Sequence, residues 1–269
     1  MQLDIYQVDA FVRQTSGNFS GNPAAVVPLS EWLSDARMQA IAAENNLAET
    51  AFYVDNNGCY DIRWFTPSTE VDLCGHATLA AAHVIRLRGD DRLEIPFHCQ
   101  VGSLAVKASV DDDVLWLDFP ARPPAAVNDE VLRQRISDII AAPVISLHQA
   151  RDLIAVVASE QEVQQCQPDL SAIATLDTFA LVVTAASHSP GYDFISRFFA
   201  PAQGIDEDPV TGSSFCSLMP LWAEHFNQEQ LQAWQCSARG GDVALRREGE
   251  RILIGGRVFL YLQGSIFLP

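Results

Sequence analysis

Basic residues are scarce in this chain: 17 Lys and Arg stand against 34 Asp and Glu in 269 residues, a formal net charge of −17. A polyanion requires a cationic patch, so nucleic acid is excluded as a partner, although a local pocket for a small anion is not. Long apolar runs are missing as well. No uncharged stretch approaches the roughly 20 residues that cross a bilayer, which argues against membrane insertion. Residues 1–8 carry no basic region followed by an apolar run, so no signal peptide is expected. The six cysteines, at 59, 74, 99, 166, 216 and 236, form no C-x-x-C pair and no zinc-ligand spacing. A cytoplasmic protein with its cysteines as thiols is therefore expected. The P-loop, G-x-G-x-x-G, G-x-S-x-G and H-E-x-x-H signatures are absent, and His83, His98, His148, His188 and His225 lack ligand spacing. Neither a metal nor a cofactor is called for.

What is present is an ordinary globular composition, 48% hydrophobic with 15 Gly and 14 Pro, and a sentence said twice. Arg63-Trp64-Phe65-Thr66-Pro67 leads through an acidic turn to Cys74-Gly75-His76-Ala77-Thr78. Roughly half a chain later, Arg197-Phe198-Phe199-Ala200-Pro201 leads through another acidic turn to Pro209-Val210-Thr211-Gly212-Ser213-Ser214. Each copy reads as strand, turn, and a glycine opening an apolar helix, which predicts two similar halves.

Between these landmarks the pattern alternates as strands do over Leu3–Val8 and over Asn22–Val27. Ser34 is placed to cap a helix over residues 35–45 that buries Met38, Ile41 and Ala42. Residues 49–54 and 59–65 read as a hairpin about Asn56-Asn57-Gly58. Residues 77–85 are apolar nearly all round and predict a helix wrapped by strands. Further strands are expected over 102–110, 114–119, 154–158, 179–185 and 192–199. A second core helix is expected over 213–224, kinked or shortened by Pro220. The tail reads as a glycine-punctuated meander over 243–247, 251–255 and 258–262. The proline-rich connector Pro120-Ala121-Arg122-Pro123-Pro124 divides the chain into an α+β half over 1–119 and another over 120–269, whose last strand returns to the first half.

The candidate chemistry begins at the two helix starts. Gly75 and Gly212 precede small or hydroxyl residues, and exposed N–H groups there suit a carboxylate or phosphate. For either start alone, capping by Thr211 or Ser213 is the simpler explanation; two equivalent starts favour a shared anion site. Glu49 stands where a helix yields to a mostly apolar strand, a setting that suits a carboxylate to move protons near neutral pH. An ordinary solvated Glu is the alternative there. His76 at its helix start can orient a carbonyl or carboxylate, or simply pack. Asp208 precedes the second start, where an Asp is also favoured by the helix dipole alone. Cys74 is placed as a reactive thiol, but its repeat counterpart is Thr211, so a two-thiol mechanism lacks its second thiol. Cys216 reads as core.

Taken together, Val8-Asp9-Ala10-Phe11, Gly21-Asn22-Pro23-Ala24-Ala25-Val26-Val27, Asn46-Leu47-Ala48-Glu49-Thr50-Ala51-Phe52, Phe65-Thr66-Pro67, Cys74-Gly75-His76-Ala77-Thr78 and Glu207-Asp208-Pro209-Val210-Thr211-Gly212-Ser213 resemble the PhzF-like (phenazine biosynthesis-like) family, relatives of diaminopimelate epimerase. The resemblance implies two pseudo-symmetric domains, each a barrel-like, mainly antiparallel sheet around a central helix, with the active site between them. It implies a cofactor-independent isomerase, often a homodimer, acting on a small carboxylic acid. By the same resemblance Glu49 is the general acid/base, with His76 and Asp208 assisting; Gly75, Thr211, Gly212 and Ser213 hold the substrate. The loop Thr15-Ser16-Gly17-Asn18-Phe19-Ser20 is longer than the family pattern, and Trp64 and Pro220 depart from it. Two other readings stay open: a racemase or epimerase using Cys74 as one base, and a non-catalytic protein that binds a small anion.

Overall fold

The computed structural model describes residues 1–14 and 17–269; Thr15 and Ser16, part of the long loop, lie outside the described residues. The chain divides into two compact units, Met1–Asp118 with Gly255–Pro269, and Phe119–Ile254.

The first unit runs β1 (Gln2–Ala10), β2 (Asn22–Leu29), α1 (Asp35–Asn45), β3 (Glu49–Asn56), β4 (Cys59–Phe65), the short β5 (Glu70–Val71), α2 (Gly75–Leu87), β6 (Glu94–Cys99), β7 (Gly102–Ala108) and β8 (Val114–Pro120). The second holds β9 (Ala125–Val127), α3 (Glu130–Ile140), β10 (Val144–Gln149), β11 (Leu153–Val157), α4 (Glu160–Gln165), α5 (Leu170–Ile173), β12 (Leu181–Ala186), β13 (Phe194–Phe199), α6 (Phe215–Phe226), β14 (Gln230–Gln235) and β15 (Gly241–Glu248). The last strand, β16 (Arg251–Phe267), begins in the second unit and completes the first.

In the first unit the strand order β1-β2-β3-β4-β6-β7-β8-β16 closes on itself through β1–β16, making an eight-stranded barrel. The antiparallel β1–β16 ladder runs from Gln2↔Phe267 to Ala10↔Val258 with a register shift at Gln7/Val8. Closure leaves this sheet without an open edge. Helix α2 packs against β1, β2, β3 and β7, and every residue from His76 to Ile85 except His83 is buried. Fully buried Leu79 and Val84 each contribute about 1.5–3 kcal/mol by leaving water. Outside the barrel, α1 buries Met38, Ile41 and Ala42 beside Val27, Phe52 and Phe65. Ser34 is its N-cap residue, yet its hydroxyl makes no capping hydrogen bond.

The second unit repeats the pairing pattern of the first over five strands. β2 and β3 are parallel, β3–β4 antiparallel, β4 and β6 parallel, and β6–β7 antiparallel. β11 and β12 are parallel, β12–β13 antiparallel, β13 and β14 parallel, and β14–β15 antiparallel. α6 stands between β13 and β14 as α2 stands between β4 and β6. The repeated arginines explain the doubled motif physically. Arg63 grips Glu70 through Nε and Nη2, both at 2.7 Å, and Arg197 grips Glu207 the same way at 2.7 and 2.9 Å. In each half a bidentate pair ties the strand to the acidic turn that aims the next helix.

Two sequence expectations change. The tail is a single 17-residue strand, β16, rather than a meander beyond residue 251. Its glycines admit neighbouring rings: a Cβ on Gly255 would sit 2.7 Å from Trp116, and one on Gly256 2.3 Å from Phe11. The second core helix opens as a 3-10 turn over Gly212–Ser214, and α6 then continues through Pro220 to Phe226. Proline lacks the N–H that would meet the Cys216 carbonyl, and the backbone N–H of Arg122 takes its place at 2.8 Å. Among the described residues, no helix is long and apolar enough to cross a membrane.

Candidate active site

Glu49 opens β3, directly opposite Ala24 of parallel β2, and His76 is the second residue of α2. The barrel thereby brings together two residues that the sequence presents as separate candidates. Glu49 Oε2 lies 3.0 Å from His76 Nε2, with side chains only 11% and 6% exposed. The approach is off the line of the ring N–H, so neither atom has an aligned hydrogen-bond partner although both are buried. A buried acceptor and donor left unaligned are stabilised when a ligand inserts between or beside them.

The other ring nitrogen faces two groups: Asn22 Nδ2 at 3.3 Å and Cys74 Sγ at 3.5 Å. In the neutral form of the ring, an Asn22 N–H donating to Nδ1 leaves the proton on Nε2, toward Glu49. Burial pushes the His76 imidazole down, but Cys74 and Glu49 outweigh it and hold it well above the ordinary value. Burial, followed by the charge of Glu49, pushes the Cys74 thiol up. Burial thus works against a ready thiolate at Cys74, in spite of its place before a helix start. No side chain caps either helix start, so simple capping by Thr211 or Ser213 does not account for them.

Trp64 pairs with Ala51, so its side chain leaves the sheet on the face used by Glu49 two residues earlier. It is buried, and its indole N–H has no partner among the described residues. The ligand atoms of Glu49, Cys74 and His76 all lie within 4.8 Å of one another, a span in which a metal ion could be held. The neutral thiol weakens that donor set, because a zinc-type ion requires the thiolate.

In the second unit, Thr211 and Asp208 form one hydrogen-bonded turn, the threonine hydroxyl donating to the carboxylate. Gln235, fully buried on β14, clamps that turn. Its Oε1 accepts from Thr211 N–H at 2.8 Å, and its Nε2 donates to the Asp208 carbonyl at 2.8 Å. Ser213 is half-buried, with Arg151 Nη1 at 3.5 Å from its hydroxyl. Asn22 and Gln235 carry no role in the sequence reading; their partners are 54 and 24 positions away, so no local spacing signals them.

A closed barrel around a buried helix, with a carboxylate and an imidazole facing each other at the helix start, defines a protein of the epimerase-like fold. The phenazine biosynthesis-like family (PhzC-PhzF) matches residues 8–262, and the chain belongs to this family. It is 48% identical to an uncharacterized isomerase of Pseudomonas aeruginosa, over all of both chains. A PhzF-family phenazine biosynthesis protein from Enterococcus faecalis superposes with a TM-score of 0.93 at 40% identity, covering 100% of each chain. A hydroxyproline epimerase from Agrobacterium vitis shares the fold alone, with a TM-score of 0.60 at 10% identity over 98% of this chain and 92% of its own. This kinship makes isomerase the enzyme class of the chain.

Proposed function

We propose that the protein is a cofactor-independent isomerase that moves a proton between carbons of a small carboxylic acid. Glu49 removes the proton and returns it elsewhere on the same molecule, while His76 and the start of α2 at Gly75 stabilise the enolate-like charge that develops. The observation that carries this reading is the buried Glu49–His76 approach at 3.0 Å with neither atom in an aligned hydrogen bond. A carboxylate and an imidazole in that state are poised to exchange a proton through a third molecule. Asp208, Thr211, Gly212 and Ser213 enter the proposal through the repeat and the family resemblance, as the groups that hold the substrate. A cytoplasmic homodimer completes it.

The test is turnover with deuterium. Incubation with small unsaturated or amino-substituted carboxylic acids in D₂O should exchange one C–H in any substrate that is converted. Glu49→Gln should keep the fold and ligand binding but lose both exchange and conversion; full activity in that variant would sink the mechanism. Turnover insensitive to a chelator is expected as well, and loss of activity that zinc restores would transfer the role to a metal held by Glu49, Cys74 and His76.

A further inference from the structure

The proposed proton shift uses Glu49 and His76, and a third buried polar group at the same end of the barrel has no part in it. Trp64 stands at the end of β4 that lies beside the start of β3, opposite Ala51 and diagonal to Glu49. Diagonal positions on one face of an antiparallel pair are within reach of aromatic and long side chains. Phe65 and Phe52 turn outward onto α1, so Trp64 and Glu49 turn into the barrel. Trp64 is the largest of the fully buried side chains among the described residues. Its indole Nε1–H is buried and makes no hydrogen bond to any of them. Glu49 Oε2 and His76 Nε2 are in the same condition, so two donors and one acceptor at one barrel end lack aligned partners.

The repeat shows that the fold does not require this N–H. Aligned on the doubled arginines, Trp64 corresponds to Phe198, which follows Arg197, pairs with Val182 and is buried. A phenyl ring therefore suffices at the equivalent place in the second unit and brings no polar atom with it. A buried indole elsewhere finds its partner: Trp222 Nε1–H donates to Thr184 Oγ1 at 3.1 Å. Burying an N–H without an acceptor is unfavourable, and phenylalanine would avoid that cost. Its presence diagonal to Glu49 points to an acceptor that arrives with a ligand.

We infer that Trp64 is a further catalytic residue of the proposed isomerase, its indole N–H donating to an oxygen of the bound acid. As Glu49 takes the proton from carbon, the C–H electron pair moves toward that oxygen, and Trp64 shares with His76 the charge that gathers there. When the proton returns, the pair reverts to carbon, and the N–H is released with the product. Because an indole donates and never accepts, it favours an oxygen without a hydrogen at this place over a hydroxyl or an ammonium group. The assignment rests on the proposed proton shift in taking the bound molecule to be the substrate.

Indole ¹⁵N NMR on the full chain tests this, with acetate, crotonate and serine as probes. Five tryptophans give five Nε1–H signals, and the one lost in Trp64→Phe belongs to Trp64. Saturation with at least one of these acids should move that signal downfield, as a hydrogen bond forms. For any acid that is converted, Trp64→Phe should lower kcat by about 10²-fold, the scale of removing one donor from a developing charge. A Trp64 signal unmoved by all three acids overturns the contact. A raised KM with kcat unchanged overturns the catalytic role, because the N–H would then serve binding alone. Where circular dichroism finds Trp64→Phe unfolded, Phe variants at Trp32, Trp116, Trp222 and Trp234 assign the Trp64 signal by elimination, and the wild-type titration decides. Glu49→Gln separates the two proposals. It should keep the Trp64 shift while losing conversion; if it converts, the proton shift by Glu49 falls, and the indole contact is judged on its own signal.

Discussion

The two units share a plan and differ at the point where chemistry would occur. Each uses an arginine gripping the glutamate of an acidic turn, and each places its apolar helix between equivalent strands. In the first unit the helix begins at once as α2, and beside its start lie a carboxylate, an imidazole and a thiol. In the second the start is a 3-10 turn, and Asp208 and Thr211 are already hydrogen-bonded to each other and clamped by Gln235. Duplicated architecture therefore does not imply duplicated chemistry. Groups left unaligned can take a new partner at once; groups that already satisfy each other must first part.

Substitutions can break this contrast. Glu49→Gln should lower turnover by about 10²–10⁴-fold, the usual range for losing a general acid/base. Ser213→Ala should cost only about tenfold, the scale of one hydrogen bond, in a steady-state assay. Equal losses would erase the distinction between reacting and holding halves. Next in size are the arginines. Arg197 is 14% exposed and also donates to the Cys166 carbonyl, whereas Arg63 is 27% exposed and pairs with solvent-facing Asp35. Denaturant unfolding should find Arg197→Leu destabilising by about 3 kcal/mol and Arg63→Leu by about 1 kcal/mol.

Asp152→Asn probes the second unit through pH. The folded carboxyl titrates at about 6, above its ordinary 3.8, chiefly because it is buried. The folded state therefore binds the extra proton, and stability is lost as pH rises from about 4 to about 6. The Asn variant should be more stable than wild type by up to about 3 kcal/mol at pH 7 and no more stable below pH 4, read from thermal unfolding across pH. The smallest effect is expected for Cys74→Ala. With a neutral thiol, turnover should fall by less than about tenfold, a loss of orientation around His76 rather than of a base. A dead Cys74→Ala enzyme would revive the thiol-based racemase.

Much of the fold was legible because local pattern and tertiary structure agree. The bounds and buried face of α1, the Asn57-Gly58 hairpin and the all-apolar α2 follow from periodicity and turn chemistry. Helix α3 escaped notice, although Asp129 caps it through the Leu132 N–H and its buried Ile136, Ile139 and Ile140 keep helical spacing. The tail was misread because glycine usually punctuates a strand, while Gly255 and Gly256 serve close packing against Trp116 and Phe11. At the site, the identities of Glu49 and His76 were visible as separate residues. Their contact was not, because barrel register rather than sequence spacing creates it. Gln235, Asn22 and Asp152 drew no attention for the same reason: a polar residue inside a strand or turn has no local mark of what it meets.

The path of β16 sets the order in which this protein can be completed. The second unit is contiguous, Phe119–Ile254, whereas the first needs Gly255–Pro269 to fill its last stave. During synthesis, β1 is made well before β16 and waits with its outer backbone edge open until that strand leaves the ribosome. Of the two units, the one begun earlier is thus finished later, and loss of β16 would expose a sticky strand edge in the half that carries Glu49.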